Sequence, residues 1–456
     1  MKTIVMFNLA ETTRDPRVRR IASSLADLDN RVIVIGIKSE CKTAHEKYDK
    51  FEIVRVNAPH NCKVKKMDKF SDVCPSAAEI IRKCSRQVFS EPLRISIRLK
   101  ERLKDFLKKL LGFRLRMKLR RLYGGKTNQV EQCNPVFNEH SEIYRIRRTM
   151  LINLELYKSA LEHNPDIVHC NDLDTLLAGF MLKENYNIPL IFDAHEIFPE
   201  QMAEHMRSHL WHGFYTELEK SLLEYTDGRI TVCDSLGRYF EQYAESQEFI
   251  TIRNVVSKEY LPDESVLNRQ NNPIRILYHG AYLPFRGLDE IIESAQYVQN
   301  AVFVFRGMGQ HEGALRRKVN ENGLNDKIVF EDPVSVDMLV QKASECDIGL
   351  NPFISVCKNT EYALPNKFFE YMMAGLAIVS SDLAEMRALT QKHEIGVLLK
   401  DNTPMSIAET INHLISSKEK LIKFRKNAYK CAKEEFFWEK EERRLFEFYQ
   451  KFLELA

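Results

Sequence analysis

The sequence PNKFFEYMMAGLAIVS, at residues 365–380, predicts a short helix followed by a buried strand. Pro365 suits the first turn of a helix, where a missing N–H costs nothing, and Gly375 suits the left-handed residue just after its end. Lys367 and Glu370 share a face near the N-terminus, where free N–H groups favour an anion. The apolar run at 376–380 is typical of a parallel strand. The stretch therefore predicts part of a nucleotide-binding sheet, with Lys367 at a diphosphate and Glu370 at a pair of sugar hydroxyls.

The length and composition of the chain predict a globular protein of two domains. Its 456 residues are too many for one ordinary core, and its contents of 44% hydrophobic and 29% charged residues are typical of soluble proteins. No apolar run approaches the ~18 residues of a membrane span, and residues 1–7 enter a strand with no cleavage site after them. The ten cysteines show neither a Cys-x-x-Cys pair nor zinc spacing. We therefore expect reduced thiols, no metal and a cytoplasmic location.

The first strand, at residues 3–7, is followed by a turn without glycine. The absence of G-x-G-x-x-G from residues 8–20 argues against NAD or FAD. Asp15 can cap a helix that starts at Pro16, and Arg17 then projects near the carboxyl edge of the sheet, where ligands bind in such folds. A solvated helix charge is the alternative interpretation of Arg17. Further strands are predicted at 31–36 and 52–56.

Two later strands end in polar residues. The strand at 166–169 is followed by Asp172, and the strand at 189–193 is followed by His195 and Glu196. A histidine at a strand end beside two acids is our candidate for the residue nearest the chemistry in this domain. Asp172 and Glu196 are candidates for binding acceptor hydroxyls or orienting His195, and a helix-capping role is the alternative. Short strands are also predicted at 229–232 and 249–253.

A basic segment interrupts this pattern at about 60–150. Between Arg94 and Arg121 there are twelve Lys or Arg residues against two acids, with apolar residues at helical spacing among them. A basic amphipathic helix of this kind favours an anionic membrane surface. Two alternatives are a helix packed on its own domain and a nucleic-acid surface, and no nucleic-acid motif supports the latter.

The second half of the chain repeats the alternation of strands and helices. Residues 257–273 are polar and predict the inter-domain linker, after which come a strand at 274–279 and Gly280. Arg286 stands at a helix N-terminus, where phosphate binding is expected. Gly307 and Gly309 form a turn that lets the backbone approach a ligand. Further strands are predicted at 302–305, 327–330 and 346–350. The aromatic-rich tail carries enough apolar surface to pack, and we expect residues 436–456 to cross back to the first domain.

These motifs together resemble the retaining GT-B glycosyltransferases of family 4, in the branch that makes bacterial surface polysaccharides. The resemblance runs along nearly the whole chain outside the basic segment, through the motifs at 15–18, 169–172, 193–196, 286–287, 365–371 and 438–440. It implies an α/β fold of two Rossmann-like domains that face each other across a cleft. The N-terminal domain would span 1–256 and bind the acceptor, the C-terminal domain would span 257–435 and bind the donor, and a helix at 436–456 would return to the first.

The resemblance also implies roles for individual residues. Arg286 and Lys367 would hold the donor diphosphate and Glu370 the ribose, and His195 would lie near the reacting sugar carbon. Other positions would complete the donor site, namely Gly280, Gly307, Gly309, Ala363, Leu364 and Asn366. The acceptor side would comprise Asp15, Arg17, Asp172, His195 and Glu196. The chain departs from the family at Tyr362, where a glutamate is usual, with Glu361 one residue away, and at Ala281, where an arginine is usual.

The predicted reaction moves a sugar from a nucleoside diphosphate, taken as UDP, to a hydroxyl with retention of configuration. Two cations and helix N-termini would stabilise the leaving group, so no metal or other cofactor is expected. The expected partners are a donor, an acceptor that is lipid-linked or otherwise hydroxyl-bearing, and the inner face of the plasma membrane through residues 94–121. Two alternatives remain open here, a hexosamine 2-epimerase of GT-B fold, which would need no acceptor, and a non-catalytic scaffold.

Overall fold

The computed structural model describes residues 1–38, 44–59, 69–89, 139–203, 208–242 and 248–455. Residues 94–121, on which the membrane prediction rests, lie outside these ranges. Among the described residues, no helix is long and apolar enough to cross a membrane.

The N-terminal domain is built on a sheet of eight described strands in the order β3-β4-β2-β1-β5-β6-β7-β8, with only β3 antiparallel. The strands are β1 (Thr3–Phe7), β2 (Arg31–Ile37), β3 (His45–Tyr48), β4 (Phe51–Val56), β5 (Ile167–Asn171), β6 (Leu190–Ala194), β7 (Gly228–Thr231) and β8 (Ile250–Thr251). The helices are α1 (Pro16–Asp27), α2 (Lys69–Val73), α3 (Pro75–Phe89), α4 (Glu139–Leu161), α5 (Leu173–Tyr186), α6 (His209–Leu223) and α7 (Asp234–Glu241).

The C-terminal domain is built on a parallel sheet of six described strands in the order β11-β10-β9-β12-β13-β14. The strands are β9 (Ile274–His279), β10 (Ala301–Arg306), β11 (Ile328–Glu331), β12 (Ile348–Asn351), β13 (Ala377–Ser380) and β14 (Gly396–Leu398). The helices are α8 (Leu288–Ala295), α9 (Glu312–Glu321), α10 (Leu339–Ala343), α11 (Lys358–Glu361), α12 (Asn366–Met373), α13 (Ala384–His393), α14 (Pro404–Ser416) and α15 (Lys418–Glu434).

The buried parallel strands agree with the predicted positions to within a few residues, because their apolar runs are visible without knowledge of the fold. Two edge strands were not predicted. The antiparallel β3 is half-exposed and polar, and β14 has only three residues, so neither carries a clear apolar pattern.

The flanks of the basic segment belong to the N-terminal domain. Helices α2, α3 and α4 contribute Phe70, Ile81 and Leu154 to the same apolar cluster as β1 and β5. The described parts of residues 60–150 therefore belong to the N-terminal domain.

The last helix, α16 (Trp438–Leu455), returns to the first domain as predicted. Trp438, Tyr449 and Phe452 pack with apolar residues of α1 and β1, and the Trp438 indole N–H donates to Ser24 Oγ at 3.1 Å. By contrast, α15 stays on the C-terminal domain, where the Arg425 guanidinium donates to three backbone carbonyls. The chain therefore crosses between the domains twice, once through the linker and once just before Trp438.

Candidate functional site

Two cavities lie between the domains, at the carboxyl ends of both sheets. The larger cavity, of about 700 Å³, is lined mainly by residues of the C-terminal domain from Tyr278 to Glu370. The smaller cavity, of about 410 Å³, is lined by residues from Ala10 to Arg17 and by other residues of both domains. Both are lined by His195, Val232, Leu364 and Asn366. The two cavities are therefore neighbouring compartments of one cleft, as large as a typical small-molecule site.

The helix α12 ends and begins close to where its sequence predicts. Gly375 has a left-handed φ of +68°, and the N–H of Leu376 donates to the Tyr371 carbonyl at 3.0 Å, which closes the last turn. At the other end Pro365 is the capping residue rather than the first helical one, and it provides no side-chain cap. The first amides of α12 are therefore left without a side-chain cap beside the larger cavity.

Lys367 lies in this first turn and lines the larger cavity. Its ammonium lies 3.6 Å from the centroid of the Tyr278 ring, and no carboxylate of the described residues is within ion-pair distance. Burial and the nearby Arg286 lower the pKa of Lys367 to about 7. Gly280 (φ +124°) lies beneath the ammonium, since a Cβ there would come within 3.3 Å of Nζ. Lys367 is thus a desolvated cation that an anion would stabilise.

Arg286 is a second cation without a carboxylate partner among the described residues. Its guanidinium stacks on Phe353, 4.1 Å from the ring centroid, and burial lowers its pKa. The left-handed Gly287 then starts α8, and its backbone approaches Pro352 so closely that a Cβ would lie 2.1 Å from the carbonyl oxygen. This contact fixes the turn that carries Arg286 into the larger cavity.

Glu370 lies one turn further along α12, with a carboxylate oxygen 2.7 Å from His279 Nε2. Burial favours the neutral carboxyl, but the contact with His279 and the charge of Lys367 outweigh it and lower the pKa of Glu370. Glu370 is therefore an anchored carboxylate that still lines the larger cavity. His279 was not among the predicted site residues, and its position at the end of β9 was the available signal.

The other predicted donor residues divide into two groups. Ala363, Leu364, Asn366 and Gly280 line the larger cavity. Gly307 and Gly309 do not appear in its lining, because they pack against the loop that holds Gly280. A Cβ at Gly307 would lie 2.0 Å from the Gly280 carbonyl, and one at Gly309 would lie 2.4 Å from that of Tyr282. The pair thus supports the wall of the cavity.

At the position of the usual family glutamate, Tyr362 packs its ring 5.5 Å from that of Tyr239 in the opposite domain. The neighbouring Glu361 is exposed and is not in the lining of either cavity. The larger cavity is therefore bounded here by an aromatic contact between the domains instead of by a carboxylate.

His195 lies between two carboxylates. Its Nδ1 is 3.2 Å from Asp172 Oδ2, and its Nε2 is 3.2 Å from Asp193 Oδ2. Although burial disfavours the charged ring, these two carboxylates outweigh it and raise the pKa of His195 well above its usual value. The backbone of Asp172 has a left-handed φ of +61°, and Asp172 Oδ1 accepts a hydrogen bond from the N–H of His195. Asp172 therefore orients His195, and it makes no side-chain cap to α5.

Arg17 is neither solvated nor free to bind a ligand. Its guanidinium donates to both oxygens of Asp193, at 2.7 and 2.9 Å, and its side chain is 3% exposed. The interpretation of Arg17 as a solvated helix charge is therefore wrong. Asp15 caps α1 as predicted, accepting from the N–H groups of Arg17 and Val18 at 3.0 and 3.1 Å. Both side chains line the smaller cavity.

Two further groups complete the buried network around Asp193. His169 Nε2 lies 3.6 Å from Asp193 Oδ2, and His169 Nδ1 lies 2.6 Å from the hydroxyl of Tyr449 on α16. Arg17 and His195 hold the pKa of Asp193 well below its usual value in spite of its burial. Sequence reasoning missed His169, Asp193 and Tyr449 as parts of the site, and it treated the first two only as members of family motifs.

Glu196 lies in the larger cavity and is held from both sides. Gln201 donates to one carboxylate oxygen, and Asn359 of the opposite domain donates to the other at 3.3 Å. Burial and the charge of Asp172 raise the pKa of Glu196 to about 7. No group of three or more His, Cys, Asp or Glu within the described ranges has an arrangement that could hold a metal ion.

Two glycosyltransferase family models match the chain, one in each domain. The family described as Glycosyltransferase Family 4 matches residues 120–260, and the family described as Glycosyl transferases group 1 matches residues 273–417. Over its whole length the chain also superposes on sucrose-phosphate synthase from Thermosynechococcus elongatus, with a TM-score of 0.70, 12% identity and coverage of 100% of both chains. The chain has the GT-B fold. The predicted fold class is thereby confirmed, and each domain matches a glycosyltransferase family model.

The chain is also similar to two other proteins. HepE of Anabaena, solved in complex with UDP-glucose, has a TM-score of 0.62 and 12% identity, with 99% of this chain and 100% of HepE covered. An uncharacterized glycosyltransferase of Methanocaldococcus jannaschii is 26% identical over 185 residues. That match covers 39% of the chain and spans less than half, 45%, of the curated relative.

Proposed function

We propose that this GT-B protein transfers a sugar from a nucleoside diphosphate, UDP in the first instance, to a hydroxyl acceptor. The observation that carries the proposal is the pair Arg286 and Lys367, two desolvated cations at helix N-termini that line one cavity without carboxylate partners among the described residues. Such an arrangement suits a diphosphate. The presence of UDP-glucose in the related HepE structure supports a nucleotide sugar as the donor.

The reaction breaks the bond between the anomeric carbon and the diphosphate oxygen, and it forms a bond from the acceptor oxygen to that carbon. Negative charge then develops on the diphosphate, where Arg286, Lys367 and the amides of α12 would stabilise it. Glu370, anchored by His279, would hold the ribose hydroxyls, and Ala363 and Leu364 would contribute backbone amides. Preorganised donors of this kind are commonly the largest contribution to lowering such a barrier.

The environment of His195 supports retention of configuration. Because both ring nitrogens lie near carboxylates and the pKa is raised, His195 holds a proton and is poorly suited to be the base of an inverting reaction. Glu196, with a pKa raised to about 7, would be the alternative base, but both of its oxygens already accept hydrogen bonds. The proton of the acceptor hydroxyl would therefore pass to an oxygen of the leaving diphosphate on the same face of the sugar.

The reaction is tested by incubating the protein with UDP-glucose, UDP-galactose or UDP-N-acetylglucosamine, with and without a panel of octyl glycosides. We expect the release of UDP to depend on an acceptor. We also expect the anomeric coupling measured by NMR to be the same in the product as in the donor. Conversion of the UDP-sugar to an isomer without any acceptor would instead identify an epimerase. Binding of UDP without turnover would favour a scaffold.

We also propose that the protein works in the cytoplasm at the inner face of the plasma membrane, in surface polysaccharide or glycolipid assembly. The support is the basic segment 94–121, with twelve Lys or Arg residues, which lies outside the described residues. Co-sedimentation with anionic vesicles should fall steeply as salt rises, and vesicles of neutral lipid should not bind. Binding that ignores both lipid charge and salt would contradict this assignment.

The pKa of Lys367 makes donor binding pH-dependent. In the free protein this pKa is lowered to about 7, and a bound diphosphate would raise it, so UDP binds with uptake of a proton. At pH 8, where UDP is fully ionised, the uptake should approach roughly one proton, and affinity should fall as the pH rises above 7. Titration calorimetry in buffers of different ionisation enthalpy measures the uptake. Lys367→Met should abolish it, and an uptake of zero in the unmodified protein would contradict the assignment.

A further inference from the structure

The smaller cavity contains a buried acceptor atom that no described group satisfies. Asn254, between β8 and the linker, lines this cavity, and its Oδ1 is inaccessible to solvent and lacks a hydrogen-bond partner. An unsatisfied buried polar atom destabilises the folded state and calls for a specific explanation.

The other half of the same amide reaches across the cleft. Asn254 Nδ2 donates to Asn366 Oδ1 at 2.7 Å, and Asn366 is the first residue of α12. Asn366 lines both cavities, whereas Asn254 lines only the smaller one. The amide pair thus joins the acceptor side to the helix that carries Lys367.

The backbone on either side of Asn254 is held in place. The N–H of Arg253 donates to Glu441 of α16 at 3.2 Å, and the side chain of Val255 is buried in the apolar cluster of the C-terminal domain. The Val255 carbonyl also accepts a hydrogen bond from Arg20. The position of the Asn254 amide is therefore determined by the fold before any ligand arrives.

The charges around the smaller cavity do not suit an anion. Among its described lining residues, the cations Arg17 and His195 already face Asp193 and Asp172. Two carboxylates belong to the same wall, that of Glu11, which pairs with Arg55, and that of Asp15, which caps α1. A phosphate group would meet these carboxylates without a free cation to balance it, whereas a hydroxyl can donate to Asn254 Oδ1.

We propose that Asn254 determines the acceptor: its buried Oδ1 accepts a hydrogen bond from a hydroxyl of an uncharged, sugar-like acceptor, and its Nδ2 aligns that acceptor with α12 through Asn366. This inference rests on the proposed transferase function and adds to it the class of acceptor and the residue that selects it. Sites built to bond a hydroxyl discriminate strongly against compounds that lack it.

The test measures UDP release from the three UDP-sugars named above with octyl glycosides of glucose, galactose, mannose and N-acetylglucosamine, and with the matching sugar phosphates. Octyl glycosides should be accepted in preference to sugar phosphates. Asn254→Ala should raise the acceptor KM at least tenfold while the Kd for UDP changes less than twofold. The Asn254→Asp side chain keeps an acceptor oxygen but points a carboxylate at Asn366, so it should retain the KM within about threefold and lower kcat.

The matched control is Glu385→Ala, which removes a different hydrogen bond between the domains, from the N–H of Ser235 at 3.1 Å, at a position outside both cavities. Glu385→Ala should leave the acceptor KM unchanged. An increase in KM as large as that of Asn254→Ala would mean that Asn254 merely holds the domains together, against the proposal. Preference for sugar phosphates, an unchanged KM in Asn254→Ala, or UDP binding with no glycoside accepted would also overturn it. A protein that neither binds UDP nor releases it would fail at the proposed function itself.

Discussion

Lys367→Ala should lower kcat/KM by about 10²–10³, because it removes one of the two cations placed where the diphosphate gains charge. That loss corresponds to about 3–4 kcal/mol of transition-state stabilisation. The effect should fall mainly on kcat, since the charge on the leaving group is larger in the transition state than in the bound donor. Steady-state kinetics with the best UDP-sugar and octyl glycoside measure the change.

Lys423→Ala is the matched control for this variant. Lys423 is an exposed lysine of α15 that pairs with Glu394 at 2.8 Å, and it lines neither cavity. Its removal should leave the kinetics within twofold of the unmodified protein. A Lys367→Ala enzyme with normal kcat, and with the same folded spectrum and unfolding midpoint as its parent, would remove Lys367 from the reaction.

Arg17→Met should destabilise the protein by about 3–5 kcal/mol, because it leaves the fully buried Asp193 carboxylate without its bidentate partner. Since its partners lower the pKa of Asp193, this stabilisation is complete at neutral pH and is lost only when the pH falls through that lowered value. Urea unfolding at pH 7 measures the loss as a shift of the midpoint.

The double variant Arg17→Met with Asp193→Asn should be more stable than Arg17→Met alone, because it removes the uncompensated buried charge. Lys50→Ala provides the exposed control, since its ion pair with Asp27 is about half-exposed on both sides and should contribute little to stability. If Lys50→Ala and Arg17→Met lowered the free energy of unfolding equally, burial would not be what makes the Arg17–Asp193 pair stabilising.

Much of the fold is encoded locally, in patterns that a single sequence displays. Hydrophobic periodicity and turn chemistry suffice to predict β1, β9, β13 and the glycine that ends α12. Each of these signals lies within fewer than ten residues of sequence. The polar edge strand β3 has no such pattern, because its pairing with β4 rather than its own composition places it in the sheet.

The site could be predicted only where its residues follow strand ends or begin helices. Lys367, Glu370, Arg286 and His195 were predicted in this way, and all four line the cleft. The partners of the site residues could not be predicted from the sequence, because these pairings depend on how distant segments of the chain come together. Arg17 meets Asp193 across 176 positions of the chain, and His169 meets Tyr449 across 280. Asn254 and Asn366 likewise belong to different domains and meet only when the cleft forms.

The most direct test of the account is a crystal structure of the protein with UDP. We expect the diphosphate in the larger cavity, at the N-terminus of α12, with oxygens within about 3 Å of both the Arg286 guanidinium and the Lys367 ammonium. We also expect the ribose beside Glu370. UDP bound elsewhere, or a diphosphate in this cavity that contacts neither Arg286 nor Lys367, would contradict it.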